Sequence, residues 1–149
     1  MKEFLMTSVG VVGSAIAFLF GGWDTSIIVL LIFMIIDYIM GLIVAGVFHK
    51  SKKSESGNLE SRAGWKGLCK KFVTFLFVII ANLLDKQMGT SFIRDGVCIA
   101  FITNELLSII ENGGLMGIPI PSVITNAISV LEGKQKENEK EVNQDEVKK

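Results

Sequence analysis

A continuous apolar run from Ser26 to Val47, interrupted by one charged residue, Asp37, limits what this chain can fold into more than any other feature. At about 1.5 Å of rise per residue, a helix of that length crosses the hydrocarbon core of a bilayer. Asp37 lies near its middle. An ionised carboxylate facing lipid there costs at least about 2.5 kcal/mol, so Asp37 must face protein or water. Asp37, Gly41 and Ala45 follow at i, i+4 and i+8 on one stripe of the helix, where small side chains let a second helix approach closely.

A second apolar run, Leu5 to Phe20, precedes it and is closed by Gly21 and Gly22. Gly10, Ser14, Ala17 and Gly21 recur at steps of four, three and four, a helix-packing face of the small-xxx-small kind. Lys2 and Glu3 cancel in charge and an A-x-A cut at Ala15–Ala17 would leave too short an apolar region, so a first span is favoured over a signal peptide. Trp23 suits the interface and Asp24 or Thr25 can cap the following helix, making the first two spans a hairpin.

After Phe48 the chain turns polar. Lys50, Lys52, Lys53, Arg62, Lys66, Lys70 and Lys71 stand against Glu55 and Glu60, which by the positive-inside rule places this connection in the cytoplasm. With Trp65, Leu68 and Phe72 on one face, the stretch from Ser61 reads as a basic amphipathic segment on the membrane surface. No stacking platform of aromatic residues accompanies the lysines, which argues against nucleic acid. A third apolar run, Phe72 to Leu84, and a fourth, Val97 to Ile110, follow; the fourth carries Asn104 and Glu105 mid-run and Glu111 just beyond. Intramembrane polar groups of this kind mark helix interfaces or a water-filled lumen. Three- and four-span arrangements both remain open, with both termini inside in the four-span form.

Gly117-Ile118-Pro119-Ile120-Pro121 is a rigid connector to a short amphipathic helix bearing Ile124, Ala127, Ile128 and Leu131. From Glu132 the chain is Lys, Glu, Gln and Asn, a charged cytoplasmic tail over 132–149 expected to be disordered, after a membrane domain over 1–131. The expected fold is therefore an all-α membrane protein of three to four hydrophobic helices plus amphipathic ones. Cys69 and Cys98 are far apart and there is one histidine, which excludes zinc-ligand spacing; no phosphate loop or nucleophile motif points to an enzyme or a cofactor.

Three blocks in order, Asp37-Tyr38-Ile39-Met40-Gly41-Leu42-Ile43-Val44-Ala45-Gly46, Ser61-Arg62-Ala63-Gly64-Trp65-Lys66-Gly67-Leu68-Cys69-Lys70-Lys71 and Asn104-Glu105-Leu106-Leu107-Ser108-Ile109-Ile110-Glu111-Asn112, resemble the phage holin family that includes the clostridial toxin-secretion holins. The resemblance covers roughly residues 5 to 131. It implies a multi-pass protein of the bacterial inner membrane that associates with itself abruptly and opens a lesion through which endolysin, or a toxin, passes. Met6 as a second start would remove Lys2 and Glu3, as in holins paired with an antiholin. Read without the resemblance, Asp37 and Glu105 fit a small ion channel or transporter subunit, and the basic loop fits a membrane anchor that recruits a partner.

Overall fold

The computed structural model describes residues 1–147, and no strand occurs among the described residues. Five helices follow one another: α1 (Lys2–Phe20), α2 (Thr25–Ile43), α3 (Ser61–Met88), α4 (Ile93–Leu115) and α5 (Ser122–Val147). A π-helical turn, Val44–Phe48, extends α2. With α1, α2 plus that turn, and α3 all long and apolar enough to cross a membrane, the chain is an all-α membrane protein.

Local chemistry sets the ends. Gly21 takes a left-handed conformation (φ 79°) that closes α1, with the Gly22 N–H donating to the Ala17 carbonyl at 2.8 Å. The Asp24 carboxylate then accepts from the Ile27 N–H at 3.1 Å and starts α2. His49 (φ 51°) ends the π turn, and Gly89 (φ 69°) ends α3.

Packing is centred on α4, which lies against α2, α3 and α5. Ile27, Leu30 and Met34 form one stripe of α2 and meet Val78 of α3 with Cys98 and Ile102 of α4. This core occupies the half of the bundle nearest the 21–24 and 89–92 turns. Ile28, Leu31, Ile32, Ile35 and Ile39 on the other side of α2 stay exposed, as do Phe72, Val73, Leu76 and Ile80 on α3. Such faces are at home against lipid, and packing and polar contacts rather than the hydrophobic effect hold helices together there.

Four differences from the sequence reading have physical causes. The hairpin of α1 and α2 exists as a connection, but α1 leans on α3 instead, because Asn82 and Lys86 of α3 donate to the Phe18 carbonyl at 3.3 and 2.9 Å. No residue of α1 is buried. Secondly, the basic stretch from Ser61 and the third apolar run are one unbroken helix, there being no proline between Ser61 and Met88 to part them. The run therefore reaches spanning length through its basic start. Thirdly, the helix over the fourth apolar run is 23 residues long, yet Arg94, Asp95, Glu105 and Glu111 keep it outside the three spans defined by composition. Finally, α5 runs past Leu131 through the charged stretch to Val147, a sequence rich in good helix formers. It lies antiparallel to α4, with Ile120 against Gly113 at one end and Asn138 against Gly96 at the other. Residues 148 and 149 of the expected tail lie outside the described residues.

Candidate functional site

The buried stripe of α2 continues from Met34 to Asp37, which is 4% exposed and so placed against α4. There Asn112 of α4 donates to Asp37 Oδ1 at 2.9 Å, and Lys71 of α3 donates to Oδ2 at 2.9 Å. The same Lys71 ammonium reaches Glu105 Oε2 of α4 at 2.5 Å. One cation from α3 thus joins a carboxylate from α2 and one from α4, so each of three helices supplies one charge. Breaking such a buried pair by removing one partner typically costs about 3–5 kcal/mol, because the group left behind stays buried and uncompensated.

This cluster is the floor of an open cavity of about 890 Å³ between α3 and α4. Lys66, Lys70 and Thr74 line one wall, and Asn104, Ser108 and Glu111 the other. Lys52 and Lys53, from the loop after the π turn, border the mouth: Lys52 pairs with Glu111 at 2.6 Å, and Lys53 lies 3.6 Å from Asp37 and 3.5 Å from Ser108. The cavity is a polar funnel that reaches from the basic end of the bundle to the middle of α2.

The sequence-selected polar residues are thereby sorted. Asp37 and Glu105 come together; Asn104, next to Glu105 in the chain, is exposed on the funnel wall, since neighbours in a helix point about 100° apart. Glu111 is exposed and held by Lys52. Of the basic segment, Lys52, Lys53, Lys66, Lys70 and Lys71 turn into the funnel, while Lys50, Arg62 and Trp65 do not line it. Asn112 escaped sequence reasoning. It closes the third of the resembling blocks, and its spacing signal was its place seven residues after Glu105, on the same side of α4.

The helix-packing residues divide too. A Cβ at Gly10 would have nothing within 4 Å and Ser14 is exposed, so these two have no packing partner among the described residues, while Ala17 is half-buried. At Gly21 the close approach is real: a Cβ there would collide with the Asn82 side chain and lie 3.2 Å from Arg94. Gly41 and Ala45 border a small cleft of about 50 Å³ between α2 and α3, faced by Gly64 and Gly67.

At the opposite end a second cation is enclosed. Arg94 donates through Nε to the Phe20 carbonyl at 2.5 Å and through Nη1 to Asp24 at 2.7 Å and Asp95 at 3.3 Å. Asp85 of α3 accepts from the backbone N–H groups of Ile93 and Arg94 and from the Thr90 hydroxyl. The hydrogen bond from Arg94 holds the Asp24 carboxyl below its usual range. No group of residues able to hold a metal occurs among the described residues.

Comparison with known proteins adds what the geometry cannot. Residues 14–133 match the model of the Bacteriophage holin family. An uncharacterised protein of Halalkalibacterium halodurans is 37% identical, covering 89% of this chain and 97% of its own length. An uncharacterised protein of Listeria monocytogenes is 36% identical over 89% of this chain and 90% of its own. A probable holin of Bacillus phage phi105 is 38% identical over 69% of this chain and 71% of its own. No solved structure matches.

Proposed function

Since this chain belongs to the bacteriophage holin family, we propose that it assembles with itself in the bacterial inner membrane into a lesion wide enough to release endolysin. The basic end of the bundle faces the cytoplasm in this reading, and a toxin in place of endolysin, or an antiholin as timing partner, fits the same scheme.

One observation carries the reading beyond family membership: three helices place charges on Lys71, Asp37 and Glu105 at the base of a funnel open to one side of the bundle. Polar walls at that depth are costly against hydrocarbon and favourable against water. A protomer alone must shield them, whereas a ring of protomers can turn them toward a shared aqueous lumen. Association rises with copy number, so the hole opens only after enough chains have accumulated. The small-residue face of α1 at Gly10 and Ser14, unpartnered among the described residues, is a contact available to neighbouring copies.

A small channel or transporter is the second reading, in which Asp37 and Glu105 handle a cation. Lys71 disfavours it, because its ammonium occupies the place between the two carboxylates that a passing cation would need. The deciding experiment is regulated expression in a bacterium with membrane potential and release of a cytoplasmic reporter enzyme followed together. Abrupt release after a delay is expected. Slow depolarisation with the reporter retained would favour the channel.

A further inference from the structure

Lys71, Lys52 and Lys53 in the funnel each lie within ion-pair distance of a carboxylate. Lys66 and Lys70 have no carboxylate within that distance among the described residues. The funnel therefore sets five ammonium groups against the carboxylates of Asp37, Glu105 and Glu111, an excess of positive charge located at Lys66 and Lys70. These two are a turn apart on one side of α3, and that column continues with Val73 and Phe77 at i+7 and i+11 from Lys66. Val73 and Phe77 are about half exposed, and the Phe77 ring lies 6.3 Å from that of Phe101 on α4. Descending the seam between α3 and α4 from the basic end, one meets two unpaired ammonium groups, the Asn104 amide on the facing wall, and then an apolar strip.

We propose that this seam binds one anionic phospholipid of the adjoining leaflet, its phosphate on Lys66 and Lys70 and an acyl chain along Val73, Phe77 and Phe101. A basic recess between spans at the headgroup level is suited to a lipid phosphate. The apolar continuation commits the site to a lipid over free phosphate, which would have no use for the lower half. The lipid also covers the polar mouth of the funnel in a single protomer, where hydrocarbon would otherwise meet it.

The test uses the full chain in a mild detergent, titrated with phosphatidylglycerol, phosphatidylcholine or inorganic phosphate and read by native mass spectrometry. One phosphatidylglycerol should be retained per chain in preference to phosphatidylcholine. The double variant K66Q/K70Q should weaken retention by about five-fold for each lysine removed, and K66R/K70R should hold it. K50Q/R62Q removes the same charge outside the funnel and should leave retention unchanged; an equal loss there would mean diffuse surface attraction and overturn the site. Phe77→Ala should weaken lipid retention. Displacement of the lipid by inorganic phosphate at matched ionic strength would make free phosphate the ligand, and retention of both lipids alike would also overturn the proposal. All four variants alter exposed side chains, and circular dichroism checks that each is folded.

Discussion

Each end of this helical bundle encloses one cation among carboxylates, but the two ends are built differently. Arg94 uses its planar fork to tie the last carbonyl of α1 and the cap of α2 to the start of α4, and its side chain is 8% exposed. Lys71 joins Asp37 and Glu105 through a point charge on a flexible stem, at the floor of a funnel open to solvent. An arginine fork holds a fixed geometry, whereas an ammonium group exchanges partners readily. The Arg94 end is thus a clamp on connecting turns, and the Lys71 end is the part able to rearrange when copies associate.

The sharpest break of this contrast is all-or-none. With Cys69 replaced by serine and a cysteine placed at position 108 (Ser108→Cys), a charged maleimide added from the basic end should label the funnel and leave buried Cys98 unmodified. Labelling at both would dissolve the distinction between an open and a closed end.

Next in size, Lys71→Met leaves Glu105 buried without its cation and Asp37 with only the more distant Lys53. It should lower stability by about 3–5 kcal/mol and abolish lysis, read as folded protein in detergent and onset of reporter release. Adding Asp37→Asn and Glu105→Gln should recover much of the folded protein. A triple variant as poor as the single one would mean that packing by Lys71, not its charge, matters.

Arg94→Lys should cost about 1.5–3 kcal/mol in thermal unfolding, since an ammonium cannot serve the Phe20 carbonyl and Asp24 with the same fork. Lysis timing at equal protein level should stay close to wild type; a large shift would make this end part of the switch.

Smallest is the pH dependence of the Asp24–Arg94 pair. The Asp24 carboxyl titrates below its ordinary value of 3.8 in the folded chain, so its contribution is complete above that value and lost as pH falls through the folded one. About half of the Asp24 side chain is open to solvent, which keeps the effect under about 1 kcal/mol. The unfolding temperatures of wild type and Asp24→Asn should differ at neutral pH and converge in acid.

Asp37 and Glu105 were legible as intramembrane carboxylates because charge in an apolar run needs a reason, whatever the fold. Their partner was not. Lys71 closes a basic run and reads naturally as a surface residue; only the placing of α3 beside α2 and α4 turns it inward. Asn104 and Glu105 looked like a pair because they adjoin in sequence, and the helix sends them to different surroundings.

The sequence by itself determined the helical membrane class, the turn at Gly21 and Gly22, a cap at Asp24 or Thr25 and the basic connection, all of which depend on local propensity and on the cost of charge in lipid. Tertiary structure alone decided that α4 is central, that α1 leans on α3 rather than on α2, and that three separate helices share one buried ion cluster. Those outcomes depend on contacts between residues 34 to 75 positions apart, such as Lys71 with Asp37 and Asn112 with Asp37. Hydropathy along a chain carries no record of which faces will meet.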